Sequence, residues 1–429
     1  MNISHKRGLL AISPIIILLA VYLVGSLLAG DFYKIPIGVA FVVAAVYAIA
    51  ITRGASLHKR IETFSQGAAN SDIMYMVWIF VLAGIFAESA RQMGAVDATV
   101  QLTLRFVPTA FLPAGIFIAA CFISLSIGTS VGTIVAMTPV ATALAEQMGC
   151  NVGWIVAIVV GGSFFGDNLS FISDTTIAAT QSQGCRMVDK FRTNLLIVFP
   201  AAIATLAIYL FSNTVEGVII EENNIEWFRA LPYVVVIGCA LAGVNVLGVL
   251  MTGIAVTAAI GFACDSFTIV SLFGAAGEGM RSMLELILVT LLAGGLMSIV
   301  KYNGGFDYII ALMTRRISGK RTAEASIATL TALANFCTAN NTIAILTAGS
   351  IARDIASQFG ISPRKSASLM DTASCFVQGI IPYGAQLLIA SGLASISPLQ
   401  IIPHLYYPLG IGIMLVLAIV LQFPRAKRE

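Results

Sequence analysis

The sequence predicts an all-α polytopic membrane protein with about ten transmembrane helices, arranged as two inverted repeats of five. Each repeat is expected to contain a re-entrant helical hairpin and a broken helix. Three observations predict this fold class: the apolar composition, the likeness between the two halves of the chain, and the polar breaks inside apolar segments.

The composition excludes an ordinary soluble protein. The chain has 429 residues, of which 58% are apolar and only 10% are charged, whereas soluble domains carry about 25% charged residues. No soluble fold of this length could bury so much apolar surface, but a lipid bilayer accommodates it. The bilayer is therefore the first expected partner, and no nucleic-acid partner is expected.

Apolar segments long enough to cross about 30 Å of hydrocarbon recur along the chain. The first, residues 9–29, is followed by further spans and is expected to be retained rather than cleaved as a signal peptide. Two of the segments, 36–51 and 228–242, are short. The predicted crossings are residues 9–29, 36–51, 72–92, 152–180, 191–212, 228–242, 245–264, 281–302, 363–391 and 404–423.

Two further apolar stretches, residues 108–149 and 321–360, are each long enough for two helices. Each is interrupted near its middle by small polar residues, SIGTSVGT at 126–133 and CTANNT at 337–342. Each stretch could form two full crossings or a re-entrant hairpin that leaves the membrane on the side it entered. The loop charges fit both alternatives, but the internal symmetry of the chain favours hairpins.

The two halves resemble each other after a shift of about 210 positions. Leu82-Ala83-Gly84 then falls on Leu292-Ala293-Gly294, and the two interrupted stretches coincide at their polar centres. The predicted repeats are residues 1–214, with hairpin 108–149 and broken helix 152–180, and residues 215–429, with hairpin 321–360 and broken helix 363–391. Five crossings in each half is an odd number, so the halves should be inverted relative to each other.

The loop charges predict the orientation. With both termini in the cytoplasm, the outer loops hold the acidic run 216–226. The distribution follows the positive-inside rule and indicates a multi-pass protein of the bacterial inner membrane. The basic residues assigned to the inner loops include Arg53, Lys59, Arg60, Arg186, Lys190, Arg192, Arg364, Lys365, Arg425, Lys427 and Arg428.

The densest group of polar residues inside a predicted span lies at 161–176, GGSFFGDNLSFISDTT. The glycine pair Gly161-Gly162 and the run 166–168 cost a helix roughly 2–3 kcal/mol relative to alanine, so the helix is expected to break there. Unwound carbonyls and two carboxylates, Asp167 and Asp174, could then bind Na+ or carry a proton. The alternative for Asp174 is that it only caps the second half-helix.

Gly379, Pro382 and Gly384 predict a second break, in the span 363–391. Two sets of candidate site residues follow from the two breaks and the hairpin tips. In the second half, Gln378 lies opposite Asp167 and Ala385 opposite Asp174, so that set is largely neutral and could also serve as polar contacts between helices. The cation and proton set is Asp167, Asp174, Asn168, Ser173, Thr175, Ser126, Gly128, Thr129 and Ser130. The set for a substrate or second ion is Asn340, Asn341, Thr342, Gln378, Tyr383, Gln386 and Asp371.

The motifs resemble those of the NhaC-type Na+/H+ antiporter family, within a superfamily of ion transporters with hairpin-bearing inverted repeats. The resemblance rests on SIGTSVGT at 126–133, followed by Gly166-Asp167 and Ser173-Asp174-Thr175-Thr176; Pro382-Tyr383-Gly384 matches more loosely. The sequence departs from the family pattern at Asn168, where a lysine or another polar residue is expected, and at the two-asparagine tip of the second hairpin.

The resemblance implies a secondary active transporter that exchanges Na+ for H+ by alternating access, with Na+ at Asp167 and Asp174 and no other cofactor. The alternative is a Na+- or H+-coupled transporter of a small organic solute, an amino acid or a carboxylate. By analogy with the superfamily, a homodimer is also possible. An enzyme is not expected, because a membrane di-aspartyl protease would need a second catalytic span, and a channel fits the doubly broken plan less well.

Overall fold

The computed structural model describes residues 5–29, 36–106, 108–170, 173–212, 226–242, 244–314 and 317–424. Most of the predicted acidic outer loop, the boundary between the two predicted repeats, and the C-terminal basic residues Arg425, Lys427 and Arg428 lie outside these ranges. The described part of the chain is helical and contains no strand, which agrees with the predicted all-α class.

The first half contains ten α-helices: α1 His5–Ala29, α2 Ile37–Ile51, α3 Leu57–Ala68, α4 Ser71–Met93, α5 Ala95–Phe106, α6 Leu112–Ile127, α7 Ser130–Gln147, α8 Val152–Leu169, α9 Asp174–Gln183 and α10 Met187–Phe211. The second half contains α11 Leu231–Leu241, α12 Val246–Ala263, α13 Ile269–Ser282, α14 Leu284–Tyr302, α15 Gly305–Thr314, α16 Lys320–Thr338, α17 Asn341–Gln358, α18 Pro363–Ile380, α19 Ala385–Ala394, α20 Pro398–Ile401 and α21 Tyr406–Val420. Short 3-10 turns occupy Thr109–Phe111, Trp227–Ala230 and Ile402–His404.

Length and composition identify membrane-crossing helices among the described residues. Seven are long and apolar enough to cross a bilayer, or eight when the bent pair Pro398–His404 and Tyr406–Val420 counts as one span. Ile37–Ile51 and Trp227–Cys239, which correspond to the two short predicted crossings, fall below this length. The protein is therefore a multi-pass membrane protein.

The helix lengths around the two interrupted stretches match between the halves. Helices α7, α8, α17 and α18 each have 18 residues, and the short helices α9 and α19 each have 10. One interhelical contact also recurs, because Ser124 Oγ donates to the Ser163 carbonyl at 2.5 Å and Asn335 Nδ2 donates to the Ser374 carbonyl at 2.6 Å. Corresponding helices of the two halves therefore pack in similar ways.

Each interrupted stretch folds as two helices joined by a tight turn. Gly128 ends α6 with φ +76°, and its N–H donates to the Ser124 carbonyl. Ala339 takes the corresponding left-handed conformation after α16, and Asn340 caps α17 by accepting a hydrogen bond from Ile343 N at 3.0 Å. These turns place the first residues of α7 and α17, Ser130 and Asn341, at the ends of the two hairpins.

The first break lies inside the predicted broken helix 152–180, but the prediction that the glycines cause it is wrong. Gly161, Gly162 and Gly166 lie inside α8, which runs to Leu169, and α9 begins at Asp174; residues 171 and 172 lie outside the described residues. The glycines instead allow α6 to approach closely, as small residues do between membrane helices. A Cβ atom on Gly162 would lie 2.6 Å from Ala120 Cβ, and one on Gly166 would lie 2.1 Å from Ser124 Oγ.

The second break lies where Pro382 and Gly384 predict it, between Ile380 at the end of α18 and Ala385 at the start of α19. Gly379, which was expected to contribute to this break, lies in the last turn of α18. A Cβ atom there would lie 2.8 Å from Pro408 Cβ, so this glycine too allows close packing rather than unwinding.

Candidate functional site

A cavity of about 430 Å³ lies between the two helix breaks and the turns of the two hairpins. Helices α7, α9 and α17 begin at this cavity, since their first residues Ser130, Asp174 and Asn341 line it. Helix N-termini carry unpaired N–H groups and partial positive charge. The cavity has a further wall, which no sequence pattern indicated: Tyr75, Met76 and Ile79 of α4 and the segment 244–246.

Asp167 is the acidic group that both halves of the protein contact. Its side chain lines the cavity, although the residue is only 4% exposed. Ser130 donates to it twice, from the backbone N to Oδ1 at 3.0 Å and from Oγ to Oδ2 at 2.6 Å. Asn341, from the second hairpin, donates from Nδ2 to Oδ2 at 3.4 Å. A carboxylate in this position can accept either a cation or a proton.

Asp174 is the first residue of α9 and is exposed to the same cavity. A negative charge at this end of a helix is favourable by itself, so the capping alternative and the ligand alternative both fit its position. The hydroxyls beside it connect the two sides of the break, because Thr175 Oγ1 donates to the Asp167 carbonyl at 3.0 Å and lies 2.8 Å from Ser173 Oγ.

The second half contributes neutral side chains to the cavity. Gln378 Nε2 donates to Gln386 Oε1 at 2.8 Å, and Gln386 Nε2 donates to Ser130 Oγ at 3.0 Å. This chain of amides ends at the serine that holds Asp167. Gln378 Oε1 is buried and receives no hydrogen bond from the described residues, so it can accept one from a bound solute or coordinate an ion.

The structure brings most of the predicted residues together, but not all. Those that line the cavity are Gly128, Thr129, Ser130, Asp167, Ser173, Asp174, Thr175, Asn340, Asn341, Thr342, Gln378 and Gln386. Ser126 does not, and its hydroxyl donates to the Phe122 carbonyl. Tyr383 is buried, with its hydroxyl on the Phe336 carbonyl at 2.8 Å. Asn168 and Asp371 do not line the cavity and lie in a buried network beside it, which Thr176 connects to the Asp167 carbonyl.

That network corrects the placement of Lys190 in an inner loop. Lys190 lies in α10, its side chain is fully buried, and its Nζ lies 2.8 Å from Oδ2 of the equally buried Asp371. Nζ also donates to the Asn168 carbonyl at 2.7 Å and to Thr176 Oγ1 at 2.8 Å. Asp371 therefore pairs with a lysine rather than lining the cavity with the neutral residues.

Asn194, one turn after Lys190, completes the network and was also missed. Its Nδ2 donates to the Asn168 carbonyl at 2.7 Å and to Asp371 Oδ2 at 3.0 Å. Two signals could have located these residues: Asp371 lies inside a span and needs a buried partner, and Lys190 and Asn194 are spaced to share one helix face.

Several known proteins are similar to this chain. The chain matches the model of the Na+/H+ antiporter family over residues 8–214 and 225–423. It is 22% identical to the malate-2H+/Na+-lactate antiporter of Bacillus subtilis, with 91% of each chain covered. It is also 22% identical to the Na+/H+ antiporter NhaC of Alkalihalophilus pseudofirmus, over 77% of this chain and 78% of that protein. The solved structure of the Alcanivorax borkumensis YdaH transporter aligns with a TM-score of 0.42 at 15% identity, covering 85% of this chain and 88% of that one.

Proposed function

We propose, because the chain belongs to the Na+/H+ antiporter family, that it exchanges Na+ for H+ across the bacterial inner membrane by alternating access. The observation that carries the proposal is the Asp167 carboxylate, which lines the cavity and is held by Ser130 of the first hairpin and Asn341 of the second. A single carboxylate that binds either ion is sufficient for exchange. Asp174, exposed in the same cavity, supplies the second negative charge for Na+.

Electrostatics couples the two ions. A bare carboxylate is costly to move through hydrocarbon, whereas a carboxylate neutralised by Na+ or by a proton is not. The transporter with Na+ or a proton bound can therefore switch from facing one side of the membrane to facing the other. The empty transporter, whose carboxylate is charged, cannot switch. This difference prevents Na+ or H+ from leaking down its gradient without the other.

The moving parts in this proposal are the two hairpins and the two broken helices. Their matched lengths, and the recurring contact of Ser124 with Ser163 and Asn335 with Ser374, support two repeats at residues 1–214 and 215–429. An odd number of crossings in each repeat inverts one relative to the other and leaves both termini in the cytoplasm. The hairpins, residues 108–149 and 321–360, then re-enter the membrane from opposite sides.

A second function, coupled transport of a small carboxylate, is favoured by the neutral half of the cavity. Its volume of about 430 Å³ exceeds what a bare ion needs. The start of α17 and the free acceptor of Gln378 could bind the charged and hydroxyl groups of such a solute. A relative covering most of this chain is named as a malate-2H+/Na+-lactate antiporter.

Reconstitution into proteoliposomes distinguishes the two functions. An imposed Na+ gradient is combined with a panel of carboxylates and amino acids, and both internal pH and solute uptake are recorded. Proton movement driven by Na+ alone is the expected result. Proton movement that requires a solute would assign the second function, and neither movement in protein of verified orientation would overturn both. Liposomes carrying an Asp167→Asn variant provide the background.

A further inference from the structure

The Lys190 ammonium occupies a position built from oxygen atoms of three helices. Its three partners are the Asn168 carbonyl at the end of α8, the Thr176 hydroxyl in α9 and the Asp371 carboxylate in α18, at 2.7, 2.8 and 2.8 Å. Lys190 and Asp371 are both 0% exposed at the side chain. A carbonyl, a hydroxyl and a carboxylate oxygen are hard ligands of the kind that bind alkali cations.

The broken helix explains why this position exists. Helix α8 ends at Leu169, so its last carbonyls have no intrahelical donor. The Gly166 carbonyl accepts from Ser170 N and the Asp167 carbonyl accepts from Thr175. The Asn168 carbonyl accepts from Lys190 and Asn194. The carbonyl that the break leaves free at Asn168 is thus bound by a cation that belongs to the protein itself.

Among the described residues, the second half has no equivalent of this arrangement. The shift that aligns the halves places Ile401 opposite Lys190 and Val160 opposite Asp371, and both of these residues are buried and apolar. The ion pair therefore does not arise from the repeat. It links Lys190, in the half that carries Asp167, to Asp371 in the other half.

We propose that the Asn168 carbonyl, the Thr176 hydroxyl and the Asp371 carboxylate form a second cation site, which the Lys190 ammonium fills permanently. The centre then holds one exchangeable cation at Asp167 and one tethered cation beside it. The site accepts a free monovalent cation once the ammonium is removed, because the buried Asp371 charge is otherwise unpaired. This inference concerns binding alone and does not depend on which ions or solutes the protein exchanges.

The test uses the purified full chain carrying Lys190→Ala together with Asp167→Asn, which removes the carboxylate of the first site. The midpoint of thermal unfolding is measured in choline chloride and in equal concentrations of NaCl, KCl and n-propylammonium chloride. Propylammonium replaces the atoms that the alanine substitution deletes. We expect saturating Na+ or propylammonium to raise the midpoint by about 5 °C relative to choline.

Two matched variants assign the effect to this site. Asp167→Asn alone should show no cation dependence, because its ammonium is in place. Adding Asp371→Asn to the double variant should remove the cation effect. A Lys190→Ala/Asp167→Asn protein whose midpoint is the same in all four salts would overturn the proposal.

A second double variant covers the case in which the protein without Lys190 does not fold. Lys190→Met/Asp371→Leu removes both charges and is expected to fold without any cation. If this double variant folds while Lys190→Ala aggregates in every salt, no free cation can replace the ammonium and the proposal is wrong. If Lys190→Ala is recovered only from Na+ or propylammonium buffers, the proposal is supported.

Discussion

The two broken helices share one backbone plan and differ in their chemistry. Helices α8 and α18 have the same length and are each followed by a helix of 10 residues. Helices α8 and α9 carry Asp167 and Asp174, whereas the corresponding positions of α18 and α19 are Gln378 and Ala385. The same scaffold thus places polar groups at the cavity in both halves, while single residues decide which half carries the acidic groups.

The two helices also pack differently against their hairpins. In α8, Gly162 and Gly166 let α6 approach so closely that a Cβ atom at either position would clash. The corresponding residues of α18 are Ala373 and Val377. Helix α8 therefore approaches α6 more closely at these positions than residues with a Cβ atom would allow.

The largest effect is expected from Asp167→Asn. The amide cannot take up a proton or neutralise a cation by charge, so Na+-dependent proton movement in inverted vesicles should fall to the level of vesicles without the protein. Asp189→Asn is the matched control, because Asp189 forms an ion pair with the exposed Arg186 at the start of α10 and does not line the cavity. Exchange that continues in correctly inserted Asp167→Asn protein would remove Asp167 from the mechanism.

Transferring the carboxylate to the other half tests the comparison directly. Asp167→Asn/Gln378→Asp should remain inactive in the same vesicle assay. Gln378 lies near the Ala339 carbonyl and Gln386, and it lacks the paired donors that Ser130 gives Asp167. Restored exchange would show that the halves are interchangeable, contrary to the asymmetry described above.

The packing difference predicts that Gly162→Ala destabilises the protein by about 1–3 kcal/mol, since Ala120 Cβ and the Phe117 carbonyl must move. The measurement is the unfolding midpoint in detergent. Gly115→Ala in α6 serves as the control, because no atom lies within 4 Å of a Cβ added there. Equal midpoints for the two variants would contradict the close approach of α6 and α8.

Ser130→Ala should raise the half-saturating Na+ concentration about tenfold, because the 2.6 Å hydrogen bond that orients the Asp167 carboxylate is lost. Ser126→Ala, in the same hairpin, removes a hydroxyl that donates to the Phe122 carbonyl and does not line the cavity, so it should leave this value unchanged. The prediction fails if the two serine variants behave alike.

The smallest change is expected from Asp174→Asn, about a threefold increase in half-saturating Na+, since an exposed charge is screened by solvent. The increase should shrink as ionic strength rises. An unaltered half-saturation value would assign Asp174 to capping α9 and leave Asp167 as the sole acidic ligand.

Local patterns predicted much of the molecule. The apolar composition predicted the membrane, the polar breaks located both the hairpin turns and the cavity, and an acid inside a span pointed to Asp167. The errors came from contacts that no local pattern contains. Gly162 and Gly166 resemble unwinding signals until α6 is placed beside them. Lys190 resembles a loop lysine, because its partner Asp371 lies 181 residues further along the chain.

That separation has a consequence for biosynthesis. At 5–20 residues per second, the ribosome adds Asp371 about 10–35 s after Lys190. During this interval the carboxylate that binds the lysine in the finished protein is not yet present, and the place of Lys190 in the first turn of α10 lets the ammonium reach the water at the membrane surface. The ion pair can form only when α18 arrives, so it joins two helices that are synthesised at different times.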